Sequence, residues 1–257
     1  MRLEVEQAIV RMIEGDGESL EIILHDNSMQ LTDEEKVQAL SSSCGAGNTK
    51  IAKFLLEQRV PISSGALIGA IHGGKVEILE EFLKYDWDID SRIFGATTAL
   101  CSAVHHEGLL LWFLDHGADP NAKQYASNIG FYRTPTSEAA LYESTSRMEL
   151  LLYYGAEIDS LTIFSAMTAR EAGDRIAMMK LLIEHGAELN GEGTGTYTIH
   201  AKSPLHCAVG MGRKDFVELL LQGGAKPNLE RFGDKTPAAL ALEQGKLDLY
   251  EILTNWS

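Results

Sequence analysis

Apolar residues recur along this chain at helical spacing, in short stretches that each stop at glycine. Four such stretches, at 109–114, 148–153, 177–183 and 216–221, carry paired leucines. Each leads into a Gly-Ala pair: Gly117-Ala118, Gly155-Ala156, Gly186-Ala187 and Gly224-Ala225, spaced 38, 31 and 38 residues apart. A second mark stands upstream. Ser203-Pro204-Leu205-His206-Cys207-Ala208 and Thr236-Pro237-Ala238-Ala239-Leu240-Ala241 begin 33 residues apart, and Thr134-Pro135 and Thr98-Ala99-Leu100 fill the same slot earlier. Ser or Thr caps a helix N-terminus, and Pro suits the first helical position. The pattern predicts a short first helix ended by Gly, as at Gly212 and Gly245. A second amphipathic helix follows, ends at Gly-Ala and gives way to a loop. Neither helix can bury its apolar face alone, so the units must stack.

These motifs resemble the ankyrin repeat. The best match, at 203–228, carries the S/T-P-L-H-x-A start, Gly212, Leu220-Leu221, Gly224-Ala225 and Asn228. Gly117-Ala118-Asp119-Pro120-Asn121 is similar to the family's Gly-Ala-Asp-x-Asn ending. The resemblance implies an all-α ankyrin-repeat solenoid of stacked helix-turn-helix units with projecting loops or β-hairpin fingers. It covers 33–254, in seven units at 33–62, 63–92, 93–123, 132–160, 161–190, 201–229 and 234–254. Residues 1–28 are read as an N-terminal helical cap split at Gly15-Asp16-Gly17, so that 1–257 forms one ankyrin-repeat domain. In the family the His206 slot supplies hydrogen bonds between neighbouring units. Trp256 is expected over the end of the stack.

Charge and cysteines narrow the function classes. The chain has 22 Lys+Arg against 37 Asp+Glu, a net charge of −15. That charge repels phosphate backbones and anionic membranes, so neither nucleic acid nor a membrane is an expected partner. No apolar run reaches the ~18–20 residues of a membrane-spanning helix. The acidic start, Met1-Arg2-Leu3-Glu4-Val5-Glu6, lacks the basic and apolar regions of a signal peptide. Cys44, Cys101 and Cys207 are far apart and odd in number, which reads as reduced thiols in a cytoplasmic protein, with the nucleus as alternative.

Recognisable cofactor and catalytic motifs are missing. Cys101 and His105 share a helix face, but Cys101 falls in a core slot and no second Cys/His pair stands at zinc spacing, so no metal is expected. Gly191-Glu192-Gly193-Thr194-Gly195 lacks the Gly-x4-Gly-Lys-Ser/Thr spacing that cradles phosphate, and no cofactor is expected. There is no Gly-x-Ser-x-Gly elbow.

The variation between units is more informative. From Ala225 to Thr236, and from Trp87 to Thr98, is 11 residues, taken as a standard finger. From Ala118 to Thr134, and from Ala187 to Ser203, is 16, whereas Ala156 to Phe164 is 8 and Val60 to Gly65 is 5. Two long fingers therefore flank a short one and are expected to enclose a niche. The first carries Tyr125, Phe131, Tyr132 and Arg133; the second carries Tyr197 and His200. The aromatics either wall a binding site or pack on each other to hold the fingers upright. Counting from the S/T-P start places Gly69, His72, Ser102, His105, His106, Glu138, Tyr142, Glu171 and Leu240 on the inner floor, where small residues leave room.

Two functions follow as expectations. The first is a binding module that recognises a protein partner through its concave groove and two long fingers, with a basic or mixed partner segment. Its binding candidates are Tyr125, Phe131, Tyr132, Arg133, Tyr142, Tyr197, His72 and Ser102. The alternative is a non-standard enzyme or small-molecule binder, an acid/base isomerase or cyclase of an apolar metabolite in a pocket between the long fingers. Its catalytic candidates are Glu138, Glu171, His105, His106 and His200.

Overall fold

The computed structural model describes residues 3–13, 18–25, 31–94, 97–122, 134–169, 175–191, 203–230 and 235–256. Among them are sixteen helices and one two-stranded hairpin, in two compact units, 1–119 and 120–257. The first unit contains α1 (Leu3–Ile13), α2 (Glu18–His25), α3 (Asp33–Ala46), α4 (Thr49–Glu57), α5 (Ser64–His72) and α6 (Val76–Lys84). It continues with β1 (Arg92–Phe94), β2 (Thr97–Thr98), α7 (Ala99–Ala103) and α8 (Glu107–Asp115). The second holds α9 (Pro135–Ala139), α10 (Ser146–Tyr153), α11 (Thr162–Thr168), α12 (Arg175–Glu184), α13 (Pro204–Met211), α14 (Lys214–Gln222), α15 (Pro237–Glu243) and α16 (Leu247–Asn255).

Among the described residues the helices follow one another in pairs, from α3/α4 to α15/α16. Within each unit first helices stack on first helices, as α3 on α5, α5 on α7, α9 on α11 and α13 on α15. Second helices stack likewise, as α4 on α6 and α12 on α14. The antiparallel strands β1 and β2 form the finger expected between Trp87 and Thr98.

Local chemistry sets the helix ends. The hydroxyls of Thr98, Thr134, Ser203 and Thr236 each accept a backbone N–H in the first turn of the helix they start. Such caps stabilise by about 1 kcal/mol each. Pro135, Pro204 and Pro237 sit in the first turn, where no N–H is missed. Gly117, Gly155, Gly186 and Gly224 end the second helices with φ between 82° and 98°, which favours glycine. The first two repeats fill that slot with Arg59 (φ 61°) and Asp86 (φ 59°) instead. Trp87 replaces the alanine after it, and its ring meets Phe82 and Phe113 edge to face at 6.0 and 6.1 Å.

Polar side chains tie one repeat to the next. His206 is fully buried; Ser203 Oγ lies 2.7 Å from its Nδ1, and its Nε2 lies 3.0 Å from the Lys235 carbonyl of the following repeat. The role implied for this slot is thus realised. Asp90 accepts the Asp119 N–H at 2.9 Å, Asn121 the Glu157 N–H at 2.7 Å, and Asn190 the Lys226 N–H at 2.8 Å. Thr134, Thr136, Thr162 and Asp159 form a ladder between α9 and α11, with Thr136 and Thr162 hydroxyls 3.2 Å apart.

Gly69 and Leu240 differ from their inner-floor assignments. Gly69 leaves no space: a Cβ there would stand 2.8 Å from the Gly45 nitrogen and 3.1 Å from the Ser41 carbonyl. Its lack of a side chain lets α5 approach α3 closely. Leu240 belongs to the core, buried against the neighbouring repeat.

Candidate functional site

In the first unit, α5 and α7 place two candidates side by side. His72 ends α5 and His105 follows α7, and their rings meet edge to face at 5.6 Å and 77°. Both are exposed, and Ser102 is half-buried on α7. His106 turns the other way. It caps α8, its Nδ1 accepting the Leu109 N–H at 3.3 Å, and its ring covers Gly74. A histidine that caps a helix holds its ring against the turn rather than toward the floor.

In the second unit, Glu138 is half-buried on α9 and Tyr142 follows that helix. The Arg147 guanidinium sits 4.4 Å from the centre of the Tyr142 ring, in cation–π geometry. Sequence reasoning passed over Arg175, which is 3% exposed at the start of α12. Its Nη1 donates to the Tyr142 carbonyl at 2.7 Å and its Nη2 to the Leu141 carbonyl at 2.8 Å. Lys246 repeats the device two repeats on, donating to the Val209 and Gly210 carbonyls at 2.6 and 2.7 Å. In both, a cation answers the negative end of the preceding first helix.

Glu171, His200, Tyr125, Phe131, Tyr132, Arg133 and Tyr197, with most of both long fingers, lie outside the described residues. The acid–base set expected for an isomerase or cyclase is therefore divided. His105 and His106 belong to the first unit, Glu138 to the second, and Glu171 and His200 are not described.

Two hollows open elsewhere. The first unit has one of about 420 Å³, lined by Arg59, Tyr85, Asp86, Trp87, Asp88 and Arg92 among others. It carries charges of both signs, and the Arg59 guanidinium lies 5.9 Å from the centre of the Tyr85 ring. The second unit has a groove of about 630 Å³ between the ends of α10 and α12. Glu149, Leu152, Tyr153, Ala156, Glu157 and Ile158 line it, closed by His185 and Gly186. Sequence signals for both existed in the slots before and at the repeat-ending glycine, where Arg59, Asp86 and Tyr153 replace the usual residues.

The Cys44 thiol is chemically quiet. All three cysteines are free, and burial pushes the Cys44 thiol up to about 12, against an ordinary 9.0. Cys101 is buried. Cys44 offers no thiolate at neutral pH. At the surface, the hydrogen bond from Arg213 holds the Asp215 carboxyl below the usual range, against a smaller opposing effect of burial.

Comparison with known proteins agrees with the repeat geometry. The family model described as ankyrin repeats (3 copies) matches residues 136–231 and 167–256. This is an ankyrin-repeat protein. The ankyrin-repeat chain is similar to the ADP-ribosylation factor GTPase-activating protein AGD2 of Arabidopsis thaliana, 32% identical over 79 residues. It is also similar to the human 2-5A-dependent ribonuclease, 41% identical over 75 residues. These matches cover 31% and 29% of the chain, and 9% of each relative's length. Ankyrin repeats are generally protein–protein interaction modules. No helix among the described residues is long and apolar enough to cross a membrane.

Proposed function

We propose that this chain is a binding module for a protein partner whose docking segment is basic or mixed in charge. The contact surface is the exposed ends of the first helices together with the segments expected from the sequence to form long fingers, 122–133 and 191–202. The observation that carries this reading is the His72–His105 pair. Consecutive first helices hold two exposed imidazoles in mutual contact, at positions the core does not need. A rigid repeat scaffold fixes the spacing of such groups before a partner arrives, which lowers the entropic cost of docking. The net charge of −15 favours approach of a basic segment. Reduced, separate thiols support a cytoplasmic location, with the nucleus as the alternative.

The test is selection of a random peptide library on the immobilised chain, followed by calorimetric titration of the selected sequences. Enrichment in Lys and Arg is expected. The paired change His72→Ala/His105→Ala should weaken binding about tenfold, roughly 1.4 kcal/mol. Tyr142→Ala reads the position after the first helix of a repeat in the second unit. Acidic selected sequences, or affinities indifferent to both variants, would sink this reading.

A further inference from the structure

We propose that the groove between the C-terminal ends of α10 and α12 receives an arginine or lysine side chain of the partner, flanked there by an apolar residue. This rests on the reading of the chain as a protein-binding module and assigns it a contact surface on the second helices.

The sequence marks the place. Two residues before the repeat-ending glycine, other units carry Asp115, Glu184 and Gln222; this one carries Tyr153. That tyrosine is 84% exposed, with Tyr154 edge to face beside it at 5.3 Å. A ring so exposed adds little to the core, and tyrosine is among the residues that anchor interfaces. Leu152, Ala156 and Ile158 give the groove an apolar floor.

The rim selects for a cation. Glu149 and Glu157 line the groove, and among the described residues no lysine or arginine does. Both helices present their C-terminal, partly negative ends to it. The Thr145 hydroxyl engages one Glu149 oxygen at 2.7 Å and leaves the other open. His185 Nδ1 lies 2.9 Å from the Leu181 carbonyl. A carbonyl only accepts, so that nitrogen donates and is spent within its own helix. Among the described residues, the rim's two carboxylates, Glu149 and Glu157, only accept. Arg and Lys are the side chains that only donate. Their aliphatic stems lie well on Leu152 and the Tyr153 ring while the charged head reaches the carboxylates.

The groove is also fixed in advance. Asn121 donates to the Gly155 carbonyl at 3.0 Å and accepts the Glu157 N–H at 2.7 Å. The loop that carries Glu157 is therefore held before any ligand arrives. At about 630 Å³ the groove exceeds one side chain, which leaves room for the apolar neighbour over Leu152 and Ile158. The hollow in the first unit gives no comparable bias, because Arg59 and Arg92 line it together with Asp86 and Asp88.

The test is a ¹H–¹⁵N titration of the full chain with acetyl-Leu-Arg-Leu-amide, with the Gln and Glu tripeptides as controls. Saturating shifts at the amides of Tyr153, Glu157 and Gly186 are expected. The Gln peptide should bind at least fivefold more weakly, and the Glu peptide not at all. The double variant Glu149→Gln/Glu157→Gln, at two exposed positions, should lose about tenfold, as should Tyr153→Ala. Shifts centred elsewhere, equal binding of the Gln peptide, or an unchanged double variant overturns the proposal. The tripeptide reads the groove without any natural partner. Saturation by it while library selection yields no binder would overturn the protein-partner reading and leave the groove standing. A selected partner whose affinity ignores the double variant would overturn the groove alone.

Discussion

Replacing Arg175 by Met tests whether the buried guanidinium is a structural clamp between repeats. The side chain starts on α12, is almost fully buried, and donates to two carbonyls just past α9 at 2.7 and 2.8 Å. Methionine keeps the length and the apolar contacts but removes both donors. Hydrogen bonds from a charged donor contribute about 1.5–3 kcal/mol each. The two share one side chain, and the freed carbonyls regain some water, so the sum overstates the loss. A net cost of about 2–4 kcal/mol is expected, in line with breaking a buried charged contact. Arg175→Lys keeps the charge and at least one donor and should lose about half as much. Urea unfolding followed by circular dichroism gives the stability, and amide hydrogen exchange gives the location. Faster exchange should centre on residues 139–145 and leave α3 and α5 unchanged. A loss under about 0.5 kcal/mol, or exchange that rises evenly along the chain, would refute the clamp.

Three further outcomes follow from single positions. Gly69→Ala should destabilise by about 1–3 kcal/mol, because the new Cβ meets the α3 backbone and not a movable side chain, and thermal melting would show it. Arg59→Gly should stabilise by about 0.5–1 kcal/mol, since it relieves a left-handed backbone at the cost of a more flexible unfolded chain; a lowered melting temperature would contradict this. For Cys44, the unfolded thiol ionises near 9.0 and the folded one only at about 12, so the unfolded chain loses its proton first. Stability should then fall as pH rises from 9 toward 12, by about 1.4 kcal/mol per unit, and Cys44→Ala should flatten that slope in urea titrations.

The repeat was legible because it is periodic. Ser/Thr-Pro caps, Gly-Ala ends and paired leucines each serve a backbone or packing need that recurs in every unit, so counting places them. His206 was readable for the same reason. Contacts that join one repeat to the next were harder. Arg175 sits just after a stretch with no cap signal, and nothing local says that its side chain runs back to carbonyls more than thirty residues away. Register arguments also fail where a helix is short. Counting put His106 and Leu240 on the open floor, but His106 was drawn into capping α8 and Leu240 into the core. Gly69 shows a related limit: a missing side chain reads as empty space in sequence, and as a neighbour's backbone in the fold.

The positions that break the period carry a different kind of information. Arg59, Asp86 and Tyr153 occupy slots where other repeats place glycine or a small polar or acidic residue, and each lines a hollow instead of filling the core. A repeat unit is constrained wherever it must stack, so drift there costs stability and is corrected by packing. Drift at the ends of the second helices meets solvent and is free to acquire a ligand's chemistry. Arg59 and Asp86 hold backbone conformations that glycine adopts more cheaply, and strain retained beside a cavity is a mark of use more than of packing. Tyr153 makes the same case from the opposite side, as a large ring left in water in a groove where, among the described residues, two carboxylates and no Lys or Arg stand. The places to look for binding in this chain are therefore where the repeat is least like itself.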